Sequence, residues 1–436
     1  MGVSGTNMAI RITYGGRGIL PRTAMASRTR YKVLGVAVLL AGITYLDRIC
    51  IAITAPDMMR ELGLSKVQMS WVFSAFTAAY ALFEIPTGHW GDKIGTRRVL
   101  TRIVVWWSSF TILTATAFNY GSLLAVRFLF GAGEAGAWPN VARTFSRWFP
   151  LAERGTVQGI FFMGAHLAGG LTPLLVTYLL HWLHWRSLFV VFGSIGFVWA
   201  LYWWRWFRDE PSEHSQVSAA ERAVIEQGRT PQPVHEMTWK RWGRLLSNPN
   251  VLALCGQYFT QSYGFMFYIT WLPTYLRTVR GFEDPATFSI VSGLPLTFSV
   301  AADLLGGITS DRMTRRYGPR LGRALVGGGS LMAAGLLLIA GVWVADPILA
   351  AILIGLAGGA SAFLLGAACG TCQDIGGNHV GVVGAAMNTS GQIGAFLCPL
   401  VVGYFADWAT PMYLTGVLYC LGALCWTRID PRKPAW

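Results

Sequence analysis

The chain has 436 residues, 53% hydrophobic and 13% charged, with a mean hydropathy of +0.44. Soluble domains average about 25% charged residues, so this composition excludes a water-soluble globular protein and points to a membrane protein with many spans. A net charge of +14 would suggest a nucleic-acid partner in a soluble chain, but its placement along this one says otherwise.

Residues 1–32 are polar and rich in glycine and arginine, without the compact apolar core and small-residue cleavage site of a signal peptide. They predict a disordered cytoplasmic N-terminus, and Met25, close before the first apolar run, allows a shorter natural start. Twelve apolar spans follow, near 33–54, 69–89, 99–118, 121–142, 157–180, 186–206, 250–272, 287–309, 324–344, 348–369, 380–404 and 409–427. Each approaches the roughly 20 residues that cross a bilayer. The long polar gap at 207–248 holds Pro211, Pro231, Pro233 and a helix-like stretch, Ser218–Gln227. The expected fold is an all-α membrane protein: twelve transmembrane helices in two six-helix halves, 33–206 and 249–427, with a cytoplasmic linker between them and a cytoplasmic tail at 428–436.

Of the 35 lysines and arginines, Arg60, Lys66, Arg186, Arg277 and Arg280 fall in the loops of one side, and Arg48 and Arg127 lie inside spans. All the others sit on the termini, the central linker and the alternate loops. Basic excess marks the cytoplasmic face, so both termini and the linker are predicted there, in an inner or plasma membrane. The surplus is then a topology signal with anionic lipid as its partner, and nucleic acid is not implied. The seven cysteines all lie in or beside apolar runs and read as small buried hydrophobes. Cys369-x-x-Cys372 invites a redox or metal pair, but no second Cys/His pair accompanies it.

The first span carries Tyr45-Leu46-Asp47-Arg48, an acid and a base side by side away from either end. Each ionisable group at membrane depth costs about 2.5–3.5 kcal/mol or more, and such groups persist where they face a protein interior or a wet cavity. Neighbours on a helix point about 100° apart, so Asp47 and Arg48 each need a partner on another helix. The fourth span supplies Arg127 and Glu134, seven residues apart on one face and about 10 Å apart along the axis. The four can converge on one cavity between spans one and four as a formally neutral quartet. One reading of that quartet is an ion-pair lock between helices. The other is chemical: Arg48 offers a guanidinium fork for a carboxylate, Asp47 and Glu134 can take and give protons, and Arg127 holds one acid ionised.

The halves echo each other. Glu84-x3-Gly88-x3-Asp92 closes span two, and Asp303-x3-Gly307-x3-Asp311 closes span eight; Arg97 and Arg98, then Arg315 and Arg316, follow. A glycine-rich span with a late proline also repeats, from Gly164 to Pro173 and from Gly391 to Pro399. Duplicated halves around a central axis are a transporter design with the site at the midplane.

Gly88-x3-Asp92-x2-Gly95-x-Arg97-Arg98 resembles the loop motif of the major facilitator superfamily, and the resemblance extends from about residue 33 to 427. Within it the chain resembles the anion:cation symporter family, which includes sugar-acid transporters. The matching stretches are Tyr45–Arg48, Arg127-Phe-Leu-Phe-Gly-Ala-Gly-Glu134 with Trp138-Pro139, Ser146-Arg-Trp-Phe-Pro150 with Glu153-Arg154, and Trp271-Leu-Pro-Thr-Tyr-Leu276. The resemblance implies that Arg48 engages a substrate carboxylate and that Asp47 and Glu134 couple protons.

Further candidates are weaker. Tyr80 and Tyr45 could hydrogen-bond substrate or merely pack. Glu84 and Asp303 read as gate or loop-locking groups, and Asp92 and Asp311 are expected to cap and pair with nearby arginines. Asn388, Ser390 and Gln392 in span eleven, with Gln261 and Tyr263 in span seven, offer amides and hydroxyls to a polyhydroxylated substrate or to neighbouring helices. His166, alone in span five, could take the place of a polar group of sugar-acid transporters, or simply pack. There is no metal-ligand cluster, no Gly-x4-Gly-Lys-Ser/Thr loop and no nucleophile–base arrangement. The expectation is therefore a transporter rather than an enzyme, a monomer without cofactor, driven by a proton gradient and carrying a small organic anion by symport. An organophosphate:phosphate exchanger and a proton-driven drug exporter are the alternatives.

Overall fold

A computed structural model describes residues 27–150, 153–226, 247–376 and 380–433. Residues 1–26 and linker residues 227–246 lie outside them, as do the surroundings of Gly88 and the side chain of Asp92. In the first half, α1 runs Thr29–Leu62, α2 Lys66–Ile94, α3 Thr96–Thr114, α4 Tyr120–Glu134, α5 Ala137–Trp148, α6 Arg154–Leu180 and α7 Trp185–Trp206. The linker contributes the short helix α8, Ala219–Glu226. The second half has α9 Pro249–Thr270, α10 Leu272–Thr278, α11 Pro285–Trp343, α12 Pro347–Phe363, α13 Leu365–Gly376, α14 Val380–Tyr404 and α15 Ala409–Arg428. Three of the twelve spans are broken into two helices (α4 with α5, α9 with α10, α12 with α13), while α11 joins spans eight and nine across Gly318, φ 79°.

Local chemistry sets the ends. Ser65 with Gln68 and Asn119 with Ser122 form capping boxes that satisfy the first free N–H groups of α2 and α4. Asp284 and Asp346 cap α11 and α12, each with proline in the first turn. Leu39, Leu82, Val198 and Leu304 are more than half exposed, as the outer face of a bundle solvated by lipid should be.

The halves meet along two seams, α6 against α11 and α2 against α14. In the first, a Cβ on Gly293 would collide with the carbonyl oxygen of Gly170, so only glycine permits the crossing. Side chains of the two halves seal the end of the bundle away from the linker. There Lys66 Nζ donates to the Phe405 carbonyl at 3.1 Å and stands over the Trp408 ring, and Ser74 Oγ donates to the Phe396 carbonyl at 2.9 Å. In the same region Phe73 packs edge-on against Trp271.

Candidate functional site in the central cavity

A cavity of about 410 Å³ lies between the halves. The first half lines it with Tyr45, Arg48, Tyr80, Glu84, Trp138 and His166, and the second with Gln261, Ser262, Asn388 and Gln392.

Arg48 reaches it because α4 breaks. Glu134 is the last residue of α4; Ala135 then turns extended and Gly136 takes φ 82° before α5 begins. A Cβ on Gly136 would strike Thr87 of α2, so the break needs glycine. Asn140 Nδ2 donates to the Gly136 carbonyl at 2.7 Å, beside the Asn140 backbone N–H at 3.2 Å. The break turns Glu134 toward α1, where its Oε1 accepts from both Nε and Nη2 of Arg48, Nε at 2.5 Å. It also delivers Trp138 to the cavity. The Arg48 guanidinium is caged by aromatic faces at 5.1 Å (Phe76), 5.2 Å (Tyr80), 5.9 Å (Trp138) and 6.0 Å (Tyr45). Such faces attract a cation without neutralising it, so the free edge of the fork keeps its charge for an anion.

The quartet does not share the cavity evenly, which corrects the expectation that all four charges face it. Asp47, Arg127 and Glu134 are buried behind Arg48, at 1%, 3% and 1% exposure. Arg127 stands over Phe130 at 4.4 Å and Phe76 at 5.4 Å. Neither oxygen of Asp47 has a hydrogen-bond partner among the described residues; the adjacent Thr111 hydroxyl donates instead to the Trp107 carbonyl at 3.0 Å. The reason is the 100° between neighbours on α1: it aims Arg48 at the cavity and Asp47 into the bundle.

Glu84 and Asp303, expected as gates, each reach across a seam. Asn388 Nδ2 donates to Glu84 Oε2 at 2.9 Å, and His166 Nδ1 lies 2.5 Å from Asp303 Oδ2. Gln261 and Gln392 line the cavity, whereas Ser390 donates to the Cys255 carbonyl within the second half and Tyr263 packs in the core. In the loop motif, Gly95 takes φ 85° and wraps Asp209, which accepts from Thr96 Oγ1 and from the Arg97 N–H, both at 2.9 Å. Arg97 Nε donates to the Trp204 carbonyl at 2.8 Å, and Arg98 is exposed. These contacts clasp α2, α3 and α7 within one half. Asp311 is exposed and has no arginine partner among the described residues, contrary to expectation. Sequence reasoning missed Phe76, Gln158 and Tyr258 as lining, and noted Trp138 only as a motif residue. Aromatics and amides are common in membrane spans, and their spacing marks no cavity.

Two bundles of six helices closing on a cavity that holds a caged cation define a membrane transporter. The chain belongs to the Major Facilitator Superfamily, whose model matches residues 37–399. It is 34% identical to "Probable sulfoacetate transporter SauU" of Cupriavidus necator, over 93% of this chain and 94% of that protein. It is 30% identical to "Probable galactarate/D-glucarate transporter GudP" of Bacillus subtilis, over 90% and 89% of the two chains. It is 31% identical to "Probable galactarate/D-glucarate transporter GarP" of Escherichia coli K12, over 87% and 88%. In fold it is similar to a bacterial homolog of the human lysosomal transporter Spinster in an inward-facing, unoccupied conformation, with a TM-score of 0.74, 19% identity, and 92% and 97% coverage.

Proposed function

We propose that the chain carries a small organic anion, a sugar acid such as a hexuronate, hexonate or aldarate, by proton-coupled symport with alternating access. The observation that carries this reading is the caged Arg48 fork lining the cavity, with Glu134 behind it. A substrate carboxylate takes the free edge of the guanidinium, and the cavity amides Gln261, Asn388 and Gln392 suit hydroxyls. Asp47 and Glu134 are the proton carriers, and Arg127 biases them. A proton on Glu134 releases Arg48 to the anion; return of that proton to water on the linker side restores the Arg48–Glu134 pair and expels the substrate. Both termini and the linker lie on the cytoplasmic side, and the transporter works as a monomer in the inner or plasma membrane.

A sulfonate is the second reading, favoured by the 34% identity to the "Probable sulfoacetate transporter SauU"; its three oxygens suit the same fork. Uptake of labelled glucarate, galactonate and sulfoacetate into proteoliposomes, with and without an imposed pH gradient, tests both. Accumulation of one of them only under the gradient, abolished in Arg48→Lys, is expected. Equal wild-type accumulation after the gradient is collapsed removes the symport reading.

A further inference from the structure

The carboxylates that the repeat places at matching positions of the halves, Glu84 and Asp303, are not matched in their partners. Glu84 meets the amide of Asn388, which cannot titrate. Asp303 meets His166, which can. We infer that His166 and Asp303 together form a second proton-carrying site, one that spans the two halves, and that its occupancy decides how tightly the α6–α11 seam is held. This rests on the proton-coupled reading and adds to it a site outside the α1–α4 quartet.

The geometry is specific. His166 is 4% exposed, lines the cavity, and directs Nδ1 at Asp303 Oδ2 across the seam at 2.5 Å. Asp303 Oδ1 is buried without a hydrogen-bond partner, and the carboxylate has no arginine or lysine ion-pair partner among the described residues. The titratable and charged groups around the pair are Tyr45 of α1, edge-on to the imidazole at 5.7 Å, Arg48 one turn further, Tyr258 of α9, Cys369 of α13, and Glu84 across the cavity. None of these is a fixed cation bonded to Asp303. The contrast with Glu134 is chemical: a guanidinium is a fixed cation, whereas an imidazole is a group that can exchange a proton.

With a proton on each ring nitrogen, the imidazolium and the carboxylate make a neutral ion pair across the seam. When Nε2 gives its proton to cavity water, the imidazole becomes neutral and Asp303 keeps a full negative charge held by one hydrogen bond from Nδ1–H, with no opposing charge. The loaded pair adds the Coulomb attraction of two opposite charges, which is stronger in a protein interior than in water. The loaded pair therefore fastens the seam in the arrangement described, sealed away from the linker, and the unloaded pair loosens it. The cavity reaches His166, so the proton exchanges through the same water that admits substrate.

The test uses the full chain with its native cysteines replaced, and spin labels at Lys93→Cys and Arg316→Cys, exposed positions on the two halves at the linker end. Distances are measured without substrate between pH 5 and 9, and gradient-driven uptake is measured in parallel. In the wild-type background, acid should raise the population open at the linker end about tenfold relative to alkaline pH. His166→Gln should remove that pH response, although its amide still donates to Asp303, and Asp303→Asn should remove it too. A purely structural latch predicts instead that His166→Gln keeps the wild-type pH response, and that result overturns the proposal while gradient-driven uptake by the wild type still supports the coupling reading. Should His166→Gln fail to fold, Asp303→Asn decides alone on the same criterion. Uptake that ignores the gradient in the wild type strikes the coupling reading itself, whatever the labels report.

Discussion

Arg48 and Glu134 hold each other where either charge alone would be costly to bury. Removing one partner of a buried pair leaves an uncompensated charge and costs about 3–5 kcal/mol, whereas replacing both by apolar groups is often neutral. Arg48→Ala should therefore lower thermal stability markedly, and the double change Arg48→Ala with Glu134→Ala should restore most of it without restoring transport. Recovery of stability without uptake, followed by thermal melts and proteoliposome assays on one set of preparations, separates the substrate role from the helix lock. Glu134→Gln probes the proton. An amide still accepts from Arg48 but cannot carry a proton away, so gradient-driven accumulation should fall about tenfold or more while counterflow exchange persists. An equal loss in both assays would argue that Glu134 only positions Arg48.

At the level of helices, the seams between halves depend on glycines whose neighbours are backbone. Gly293 of α11 faces the Gly170 carbonyl of α6, while a Cβ on Gly159, earlier in α6, would meet nothing within 4 Å. The same substitution should thus have opposite signs. Gly293→Ala should destabilise by about 1–3 kcal/mol, because a backbone carbonyl cannot step aside. Gly159→Ala should be neutral or stabilising by about 1 kcal/mol, since alanine loses less entropy in a helix. Denaturation midpoints in the same detergent check both. The broken helices belong to this scale as well. The break after Glu134 aims Arg48's partner and swings Trp138 into the cavity, and the break at Leu364 interrupts the corresponding span of the second half.

For the whole molecule, alternating access requires the seal away from the linker to open in every cycle. Ser74 Oγ and the Phe396 carbonyl lie 2.9 Å apart across that seal. In a chain freed of its seven native cysteines, Ser74→Cys with Phe396→Cys should crosslink with a short bifunctional reagent and stop uptake, and a cleavable linker should let it resume on reduction. Undiminished uptake in the crosslinked protein would mean the seal is static.

The sequence by itself determined the twelve spans, the duplicated halves and the placement of ionisable residues inside α1 and α4. These follow from apolar run length and from the cost of burying charge, which are local properties of the chain. It also brought Arg48 and Glu134 under suspicion as partners, because a lone buried charge is too costly to keep. Only the tertiary structure decided which member of the quartet sees the cavity, since that depends on the rotation of α1 and on the break in α4. It alone joined His166 to Asp303, residues 137 positions apart on helices of different halves. It also distinguished Asn388, which crosses a seam to Glu84, from Ser390 two residues later, which bonds within its own half. No periodicity within one helix encodes which neighbour it will meet. That is fixed by the packing of all twelve, and the cavity chemistry is a product of that packing.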